Sequence, residues 1–257
     1  MALEAAGAEG SSDQIMREVD AGEILGKIQA RQPVEYDHVI VRGDLDLSRV
    51  QLQKNVTSPI RINDSMFYDL VNFNGTTFEK PVDLSGSNFA MDVFFREVAF
   101  SGYANFEGAT FSGCVSFSEA TFGDNVNFEE VTFSDYASFS EATFTDYASF
   151  GEVTFGDNAR FGEAEFWHGA GFWEATFRDD VNFLGTSFND DTSFRMADFG
   201  GEADFREVTF SGYANFAGAE LRGEAEFYRA TFSGDADFGA YFSGYAEFYL
   251  ATFGGEA

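Results

Sequence analysis

The sequence contains very few of the residues that mark several common protein classes. It has a single cysteine, Cys114, which excludes an internal disulfide framework and suits a reducing cytosol. Three prolines against 34 phenylalanines exclude a disordered chain, because disordered chains lack aromatic residues. No apolar run is long enough to span a bilayer. Residues 1–14 lack the basic start and apolar core of a secretory signal, so we expect a cytoplasmic protein with a flexible leader at 1–14.

Basic residues are also scarce. Fifteen lysines and arginines face 44 acidic residues, which gives a formal net charge of −29. A surface of this sign repels nucleic acid and anionic membranes, and it attracts basic partners. We therefore expect no direct nucleic-acid binding and no membrane insertion. Two interpretations of the acidity remain open, namely adaptation to high salt or simple solubility, and recognition of a basic protein.

Phenylalanine spacing is the strongest pattern in the chain. Between Phe106 and Phe216 the intervals alternate between five and six residues, and a small residue stands two positions before each phenylalanine. A period near five excludes a helix face and a continuous strand, but it fits a short strand and a corner that repeat. In Ala137-Ser138-Phe139 the alternation of a strand sends Ala137 and Phe139 inward. Glycines are expected at corners that need a positive φ.

Two consecutive units carry a family resemblance. Ala-Asn-Phe-Glu-Gly at 104–108 is followed by Ala-Thr-Phe-Ser-Gly at 109–113, and this phrase resembles the pentapeptide-repeat proteins. The resemblance covers roughly residues 39–257. It implies an all-β fold, a right-handed quadrilateral parallel β-helix with the central side chains stacked inside. Because every second unit here has six residues, we expect coils of about 22 residues with two opposite corners enlarged. About ten coils would make a rod of ~48 Å.

The flanking segments define the expected domain boundaries. Residues 15–33 are predicted to form an N-terminal helical cap over the first coil, with Ser11 and Gln14 as a capping box, Asp20 as a second cap and Pro33 closing the segment. The solenoid is placed at 39–257, and its first strands are expected within 38–47. A loop is expected at 53–59. The stretch 238–242 is one residue short and should pinch a corner.

The last coil carries no helical cap in the sequence. Phe242, Phe248 and Phe253 would therefore leave an apolar core and unpaired strand edges exposed at this end. Two explanations remain open: the chain continues in a longer protein, or two rods meet end to end as a homodimer.

Acidic residues recur at the spacing of one coil, so we expect them to stack into columns. The columns are Glu119, Glu141 and Glu163; Glu130, Glu152 and Glu174; Asp124 and Asp146; Asp135, Asp157 and Asp179. Such columns are either solvated ridges or binding sites for Ca²⁺ or Mg²⁺, which prefer oxygen ligands. Outward threonines at 110, 121, 132, 143 and 154 would form further ladders. These ladders fit cross-strand β-propensity better than a regular ice-binding face.

Catalytic chemistry has little support. His38 and His168 lie far apart, and no metal-ligand cluster, nucleophile elbow or phosphate-binding loop is present, so we predict neither an enzyme nor a cofactor. Cys114 occupies a corner position and is interpreted as structural. Trp167, His168 and Trp173 interrupt the acidic run and are predicted either to form a contact patch or to pack at corners.

The resulting functional hypothesis is a non-catalytic acidic scaffold, or a rod that binds an unidentified protein partner. The alternative comes from the resemblance: some pentapeptide-repeat proteins mimic duplex DNA and occupy the DNA-binding surface of type II topoisomerases. This alternative makes the chain a DNA-mimicking inhibitor of such an enzyme or of another DNA-binding protein.

Overall fold

The chain winds into a parallel β-solenoid of about ten coils. The computed structural model describes residues 16–49 and 55–257. The predicted leader, the proposed capping box of Ser11 and Gln14, and residues 53 and 54 of the expected loop lie outside the described residues. Within the described residues four parallel sheets form the four faces of the solenoid. We number the faces so that the chain runs through each coil from face 4 to face 1, then to faces 2 and 3.

Faces 1 and 2 follow each other along the chain. Face 1 consists of Arg17–Asp20, Val39–Arg42, Met66–Phe67, Asn88–Phe89, Thr110–Phe111, Thr132–Phe133, Thr154–Phe155, Thr176–Phe177, Asp198–Phe199, Glu220–Leu221 and Tyr241–Phe242. Face 2 consists of Leu45–Asp46, Val71–Asn72, Val93–Phe94, Val115–Ser116, Ala137–Ser138, Ala159–Arg160, Val181–Asn182, Ala203–Asp204, Ala225–Glu226 and Ala246–Glu247.

Faces 3 and 4 complete the coil. Face 3 consists of Asn55–Val56, Thr77–Phe78, Ala99–Phe100, Thr121–Phe122, Thr143–Phe144, Glu165–Phe166, Ser187–Phe188, Thr209–Phe210, Thr231–Phe232 and Thr252–Phe253. Face 4 consists of Val34–Asp37, Ile60–Asn63, Val82–Asp83, Ala104–Asn105, Val126–Asn127, Ala148–Ser149, Ala170–Gly171, Thr192–Ser193, Ala214–Asn215 and Ala236–Asp237.

The N-terminal segment contains one α-helix, Ala21–Gln29, and a 3₁₀ helix follows at Leu47–Arg49. Asp20 caps the α-helix by accepting a 2.8 Å hydrogen bond from the Gly22 amide, and Ile24 and Ile28 are buried with the solenoid core. The helix is shorter than the predicted cap at 15–33, because Arg17–Asp20 pairs in register with Val39–Arg42 as a strand. The predicted solenoid begins at residue 39, but the sheets already include two strands before that residue, Arg17–Asp20 and Val34–Asp37.

Successive coils stay in register, as the alternation of short and long units predicts. Phe111 lies in register with Phe133, and Phe144 with Phe166, so each phenylalanine meets its equivalent one full coil later. The enlarged corners are opposite each other, between faces 1 and 2 and between faces 3 and 4. The other two corners are tight turns closed by an amide three residues after a carbonyl, as in the 3.1 Å bond from Ala142 to Phe139.

The interior is filled by phenylalanine columns. Within a column the rings stack, and the Phe117–Phe139 centroids are 5.0 Å apart with planes 8° from parallel. Between neighbouring columns the rings meet edge to face, as Phe139 and Phe150 do at 5.4 Å and 90°. Offset-stacked and edge-to-face arrangements are the favourable geometries of aromatic pairs. Buried alanines and valines lie between the rings, so the solenoid core is closely packed.

Candidate functional site

Glutamates occupy most of the tight turns in the middle of the rod. From Asp64 to Arg229 each of these turns has one residue with a positive φ, and these residues recur every 11 positions. Glycine fills this position at 75, 86, 108, 185 and 218, as the sequence predicts, but eight other turns use glutamate. The glutamates are Glu97, Glu119, Glu130, Glu141, Glu152, Glu163, Glu174 and Glu207, with φ between 54° and 60°. A positive φ is unfavourable for a residue with a Cβ, so these carboxylates are held in place at a conformational cost.

The strand registers place the predicted acidic columns on the four corners. Glu119, Glu141 and Glu163 follow one another along the corner between faces 2 and 3, and Glu130, Glu152 and Glu174 along the opposite corner. The wide corners carry the aspartates. Asp124, Asp135, Asp146 and Asp157 each accept a hydrogen bond of 2.6–2.8 Å from the amide of the following residue. These aspartates therefore fold the wide corners and also add charge to them.

We call residues 123–174 the acidic belt. The belt contains eleven acidic residues and one basic residue, Arg160. No ion pair involves a belt residue in the part of the chain that the structure describes. The Arg160 guanidinium lies over the Tyr136 ring, 5.4 Å from its centroid. The negative charge of the belt is thus not neutralised by its own arginine.

Ion pairs lie on either side of the belt. Arg96 binds Glu119 at 2.6 Å, and Arg206 binds the buried Asp204 through two nitrogens at 2.7 and 2.9 Å. Hydrogen bonding to Asp204, followed by its charge, raises the pKa of Arg206 above its ordinary value. Arg206 also contacts Glu226 at 3.0 Å.

A shallow groove of about 210 Å³ crosses face 2 beside this ion pair. Arg160 stands at one end and Arg206 at the other, with Asn182 and Asp204 between them. Asn182 donates a 3.1 Å hydrogen bond to Asp204, which also accepts from Arg206. The polar side chains of the groove therefore largely hydrogen-bond to one another.

The residues of the predicted contact patch lie at two corners of one coil, Trp167 and His168 between faces 3 and 4 and Trp173 between faces 4 and 1. Trp167 is 55% exposed, and its indole donates a 3.1 Å hydrogen bond to Glu165 of face 3. His168 Nδ1 donates to the Thr145 carbonyl at 2.7 Å. Trp173 belongs to the tight turn between faces 4 and 1, where its ring covers Gly151 and its Cδ1 lies 3.3 Å from the point that a Cβ on Gly171 would occupy. The three residues thus start from different corners of one coil, and a shared contact patch of Trp167, His168 and Trp173 stays a prediction.

Tyr147 is the aromatic residue that does approach Trp173, and the sequence reasoning missed it. The Tyr147 hydroxyl lies over Gly171. A carbon of the Tyr147 ring lies 3.2 Å from the point that a Cβ on Gly169 would occupy. The available signal was the pair Gly151 and Gly171, which lack the side chains of the equivalent positions in neighbouring coils. Burial, and then the nearby Glu129 carboxylate, raise the pKa of Tyr147, while a hydrogen bond with Ser149 lowers it.

The C-terminal coil carries several exposed or partly exposed apolar side chains. Phe253 is 43% exposed, and Phe242 and Phe248 are partly buried. Phe248 stacks on Phe227 at 4.7 Å, and Phe253 stacks on Phe232 at 4.9 Å. Tyr249 and Leu250 add further exposed apolar area, 64% and 52% respectively.

The remaining candidate residues have local structural contacts. The Cys114 amide donates a 3.0 Å hydrogen bond to Asp92, and burial together with Asp135 and Asp92 raises the pKa of its thiol, which disfavours the reactive thiolate. The His38 amide donates to the Asn63 carbonyl at 3.1 Å. Among residues 16–49 and 55–257 there is no group of three His, Cys, Asp or Glu side chains placed to hold a metal ion. None of the described helices has the length and apolarity needed to cross a membrane.

Comparisons with known proteins identify the repeat. A family model described as pentapeptide repeats (9 copies) matches residues 62–110, 95–143, 106–154, 128–176 and 172–220, which together span 159 of the 257 residues. Among solved structures, a trypsin-treated form of QnrB1, a plasmid-mediated fluoroquinolone resistance protein, is 17% identical. That match covers 82% of this chain and 91% of the other, with a TM-score of 0.24. No curated protein matches the chain.

Proposed function

The chain belongs to the pentapeptide-repeat family, and from this membership we propose that it is a non-catalytic rod that binds a basic protein through its acidic belt. The observation that carries the proposal is the belt itself: it has ten carboxylates on the four corners, an eleventh, Glu165, on face 3, and one arginine, and none of its residues forms an ion pair within the described part of the chain. Carboxylates one coil apart, ~4.8 Å, repel each other by about 1 kcal/mol per pair in bulk water. A partner that brings lysines and arginines would turn this repulsion into attraction.

A charge-matched pair of variants tests the proposal. One variant changes Glu130, Glu141, Glu152 and Glu163 in the belt to Gln. The control changes Glu207, Glu220, Glu224 and Glu247, all outside the belt, to Gln and so removes the same charge. The probe is a fluorescein-labelled, acetylated deca-arginine amide, followed by fluorescence anisotropy at low salt. We expect the belt variant to lose about tenfold in affinity and the control distinctly less, since exposed pairs each contribute ~0.2–1 kcal/mol. Equal losses would contradict a role for the belt.

A second candidate function, mimicry of duplex DNA, is supported by the charge density of the rod. Residues 55–257 carry 34 acidic and 9 basic residues, a net charge of −25. At about 22 residues and ~4.8 Å per coil this stretch is about 44 Å long, which gives about one negative charge per 1.8 Å. Duplex DNA carries one per ~1.7 Å. On this proposal the rod occupies the DNA-binding surface of a type II topoisomerase.

DNA supercoiling by a bacterial gyrase, measured with and without the protein, tests this second candidate. Inhibition at micromolar concentration, stronger than that of polyglutamate at equal charge, is expected because the carboxylates are fixed on a rod. Absence of inhibition would contradict mimicry and leave the protein-binding rod in place.

We also propose that two rods pair through their C-terminal coils, burying Phe242, Phe248 and Phe253. Exposed apolar area and free strand edges support this pairing. Light scattering of the wild type and of the double variant Phe248→Lys, Phe253→Lys tests it. A dimer that becomes a folded monomer is expected, and a wild type that is monomeric at every concentration would contradict it.

A further inference from the structure

Two aromatic side chains converge on face 4 within the acidic belt. Tyr147 comes from the wide corner between faces 3 and 4, and Trp173 comes from the tight turn between faces 4 and 1. The Tyr147 hydroxyl and the Trp173 indole edge both lie over Gly171. Tyr147 remains 42% exposed, and Trp173 is partly exposed. We call this pair the aromatic platform.

Glycines at two positions make the platform possible. A methyl group on Gly171 would overlap the Tyr147 hydroxyl, and one on Gly151 would overlap the six-membered ring of Trp173. The residues in register with Gly171 on either side are Ser149 and Ser193, whose side chains would occupy this space. The two rings can therefore lie across the face at this coil.

The charges around the platform are predominantly negative. Glu152 follows Gly151 and Glu174 follows Trp173, both in the strained turns described above. Asp146 precedes Tyr147 and accepts its amide hydrogen bond at 2.8 Å. Glu129 accepts a 2.7 Å hydrogen bond from Ser149 beside Gly171. Arg195 lies one coil beyond Trp173, while the indole extends in the opposite direction over Gly151.

Aromatic faces among carboxylates bind cations, since the ring quadrupole and the carboxylates both attract positive charge. Of the two cationic side chains, arginine suits the platform better, because its planar guanidinium stacks on flat rings and is less strongly hydrated than an ammonium group. We propose that the Tyr147–Trp173 platform takes an arginine side chain of the basic partner. This inference rests on the proposed function and names the contact that orients the partner on the belt.

The two tryptophans of the chain allow a direct test. Trp167→Phe leaves Trp173 as the sole tryptophan, and Trp173→Phe leaves Trp167 as the control. Each variant is titrated with unlabelled acetylated deca-arginine amide while tryptophan emission is recorded. We expect a saturable change in Trp173 emission and a distinctly smaller change in Trp167 emission. Deca-lysine at equal charge should change the Trp173 emission less than deca-arginine.

Anisotropy of the labelled deca-arginine separates failure of this inference from failure of the proposed function. Binding detected by anisotropy with an unchanged Trp173 emission, or with equal emission changes for deca-arginine and deca-lysine, would overturn the arginine platform alone. No binding by anisotropy would overturn the basic-partner function as well.

Affinity measurements give a second readout. Trp173→Leu should weaken deca-arginine binding about threefold, as expected from the ~0.5–1 kcal/mol of an exposed cation–π contact, while Tyr213→Leu, which changes an exposed aromatic residue outside the belt, leaves binding unchanged. Gly171→Ala, which displaces Tyr147 but keeps every charge, should also weaken binding. Circular dichroism verifies that each variant is folded, and folded variants with unchanged affinity would overturn the inference.

Discussion

The amide of Ala240 donates a 2.6 Å hydrogen bond to the carbonyl of Phe238, which closes a turn one residue shorter than the others at this corner. In the preceding coil the equivalent bond runs from Ala219 to Phe216 at 3.0 Å and encloses two residues instead of one. The next strand therefore arrives one position early: Phe199 is in register with Leu221, and Leu221 with Phe242 instead of Ser243. The corner absorbs the missing residue, and strand pairing continues on faces 1, 2 and 3.

Insertion of one glycine between Gly239 and Ala240 should restore the longer turn without moving Phe242 from its inward position. We expect the free energy of unfolding in urea to be unchanged or slightly higher. The control inserts one glycine between Ala225 and Glu226 inside a strand. Because a one-residue slip reverses the direction of every following side chain, Phe227 would leave the core and stability should fall by about 3 kcal/mol or more. Equal losses for the two insertions would show that the corner is not adaptable.

A comparison of Glu129→Gly with Glu130→Gly measures the cost of the positive φ, because both substitutions remove one negative charge. Only Glu130 has a positive φ, 58°. Glu130→Gly removes a conformational cost of ~1–2 kcal/mol and adds an entropic cost of ~0.5–1 kcal/mol for fixing the glycine backbone, so we expect a net gain between zero and about 1.5 kcal/mol. Glu129→Gly removes the same charge but gains no relief, and it loses the 2.7 Å hydrogen bond to Ser149, so it should destabilise.

Urea denaturation of the two glycine variants and of Glu130→Ala distinguishes backbone relief from charge relief. Alanine removes the carboxylate but keeps the strained backbone, so its stability should fall below that of Glu130→Gly. Similar stabilities for Glu130→Gly and Glu130→Ala would attribute the gain to charge alone.

The sequence is sufficient to predict the solenoid because the phenylalanine spacing reports directly on coil length. The coil length and the two enlarged corners follow from the alternation of short and long units, and the register of Phe111 with Phe133 agrees. The strand Arg17–Asp20 could not be predicted from the sequence, because this short stretch falls within the segment predicted to be helical. Its pairing partner, Val39–Arg42, lies a full coil away along the chain.

Surface contacts follow a different rule from the core. Residues separated by whole coils in the sequence stack in one column. The separation of Tyr147 and Trp173 is not a whole number of coils, so the repeat alone does not predict that they lie close together. Their approach over Gly171 depends on long side chains that extend across a face from opposite corners, and on Gly151 and Gly171 leaving space. The repeat does predict the positions of the acidic columns, because the carboxylates of one column occupy the same corner position in successive coils.

Phe139 and Phe253 should differ sharply in their contributions to stability. Phe139 is fully buried and stacks between Phe117 and Phe161 at 5.0 and 4.9 Å. Phe139→Ala should cost ~3–5 kcal/mol, as is typical of a buried phenylalanine. Phe253→Ala, in the open last coil, should cost about 1 kcal/mol because its side chain is already partly in water. Equal costs, measured by urea denaturation at a concentration where the chain is monomeric, would contradict the difference in packing.

Glu226 should make the rod less stable at neutral pH than its glutamine variant. Burial is the main cause that raises its pKa, the neighbouring Asp204, Glu202 and Glu224 add to the rise, and Arg206 opposes it. A raised pKa means that the folded chain binds the proton more tightly than the unfolded chain. The resulting stability is present below the ordinary glutamate pKa of ~4.3 and is lost as the pH rises through the folded-state value.

Glu226→Gln mimics the protonated carboxyl, so it should raise the free energy of unfolding at pH 7 and make little difference at about pH 3.5, below the ordinary glutamate pKa. Glu224→Gln is the control. It removes one charge from the same acidic cluster, but Glu224 is exposed and lacks the burial that is the main cause of the raised pKa of Glu226. We expect its effect at pH 7 to be smaller. If Glu226→Gln instead lowered the stability at pH 7, the 3.0 Å contact with Arg206 would outweigh burial, and the Glu226 charge would be stabilising.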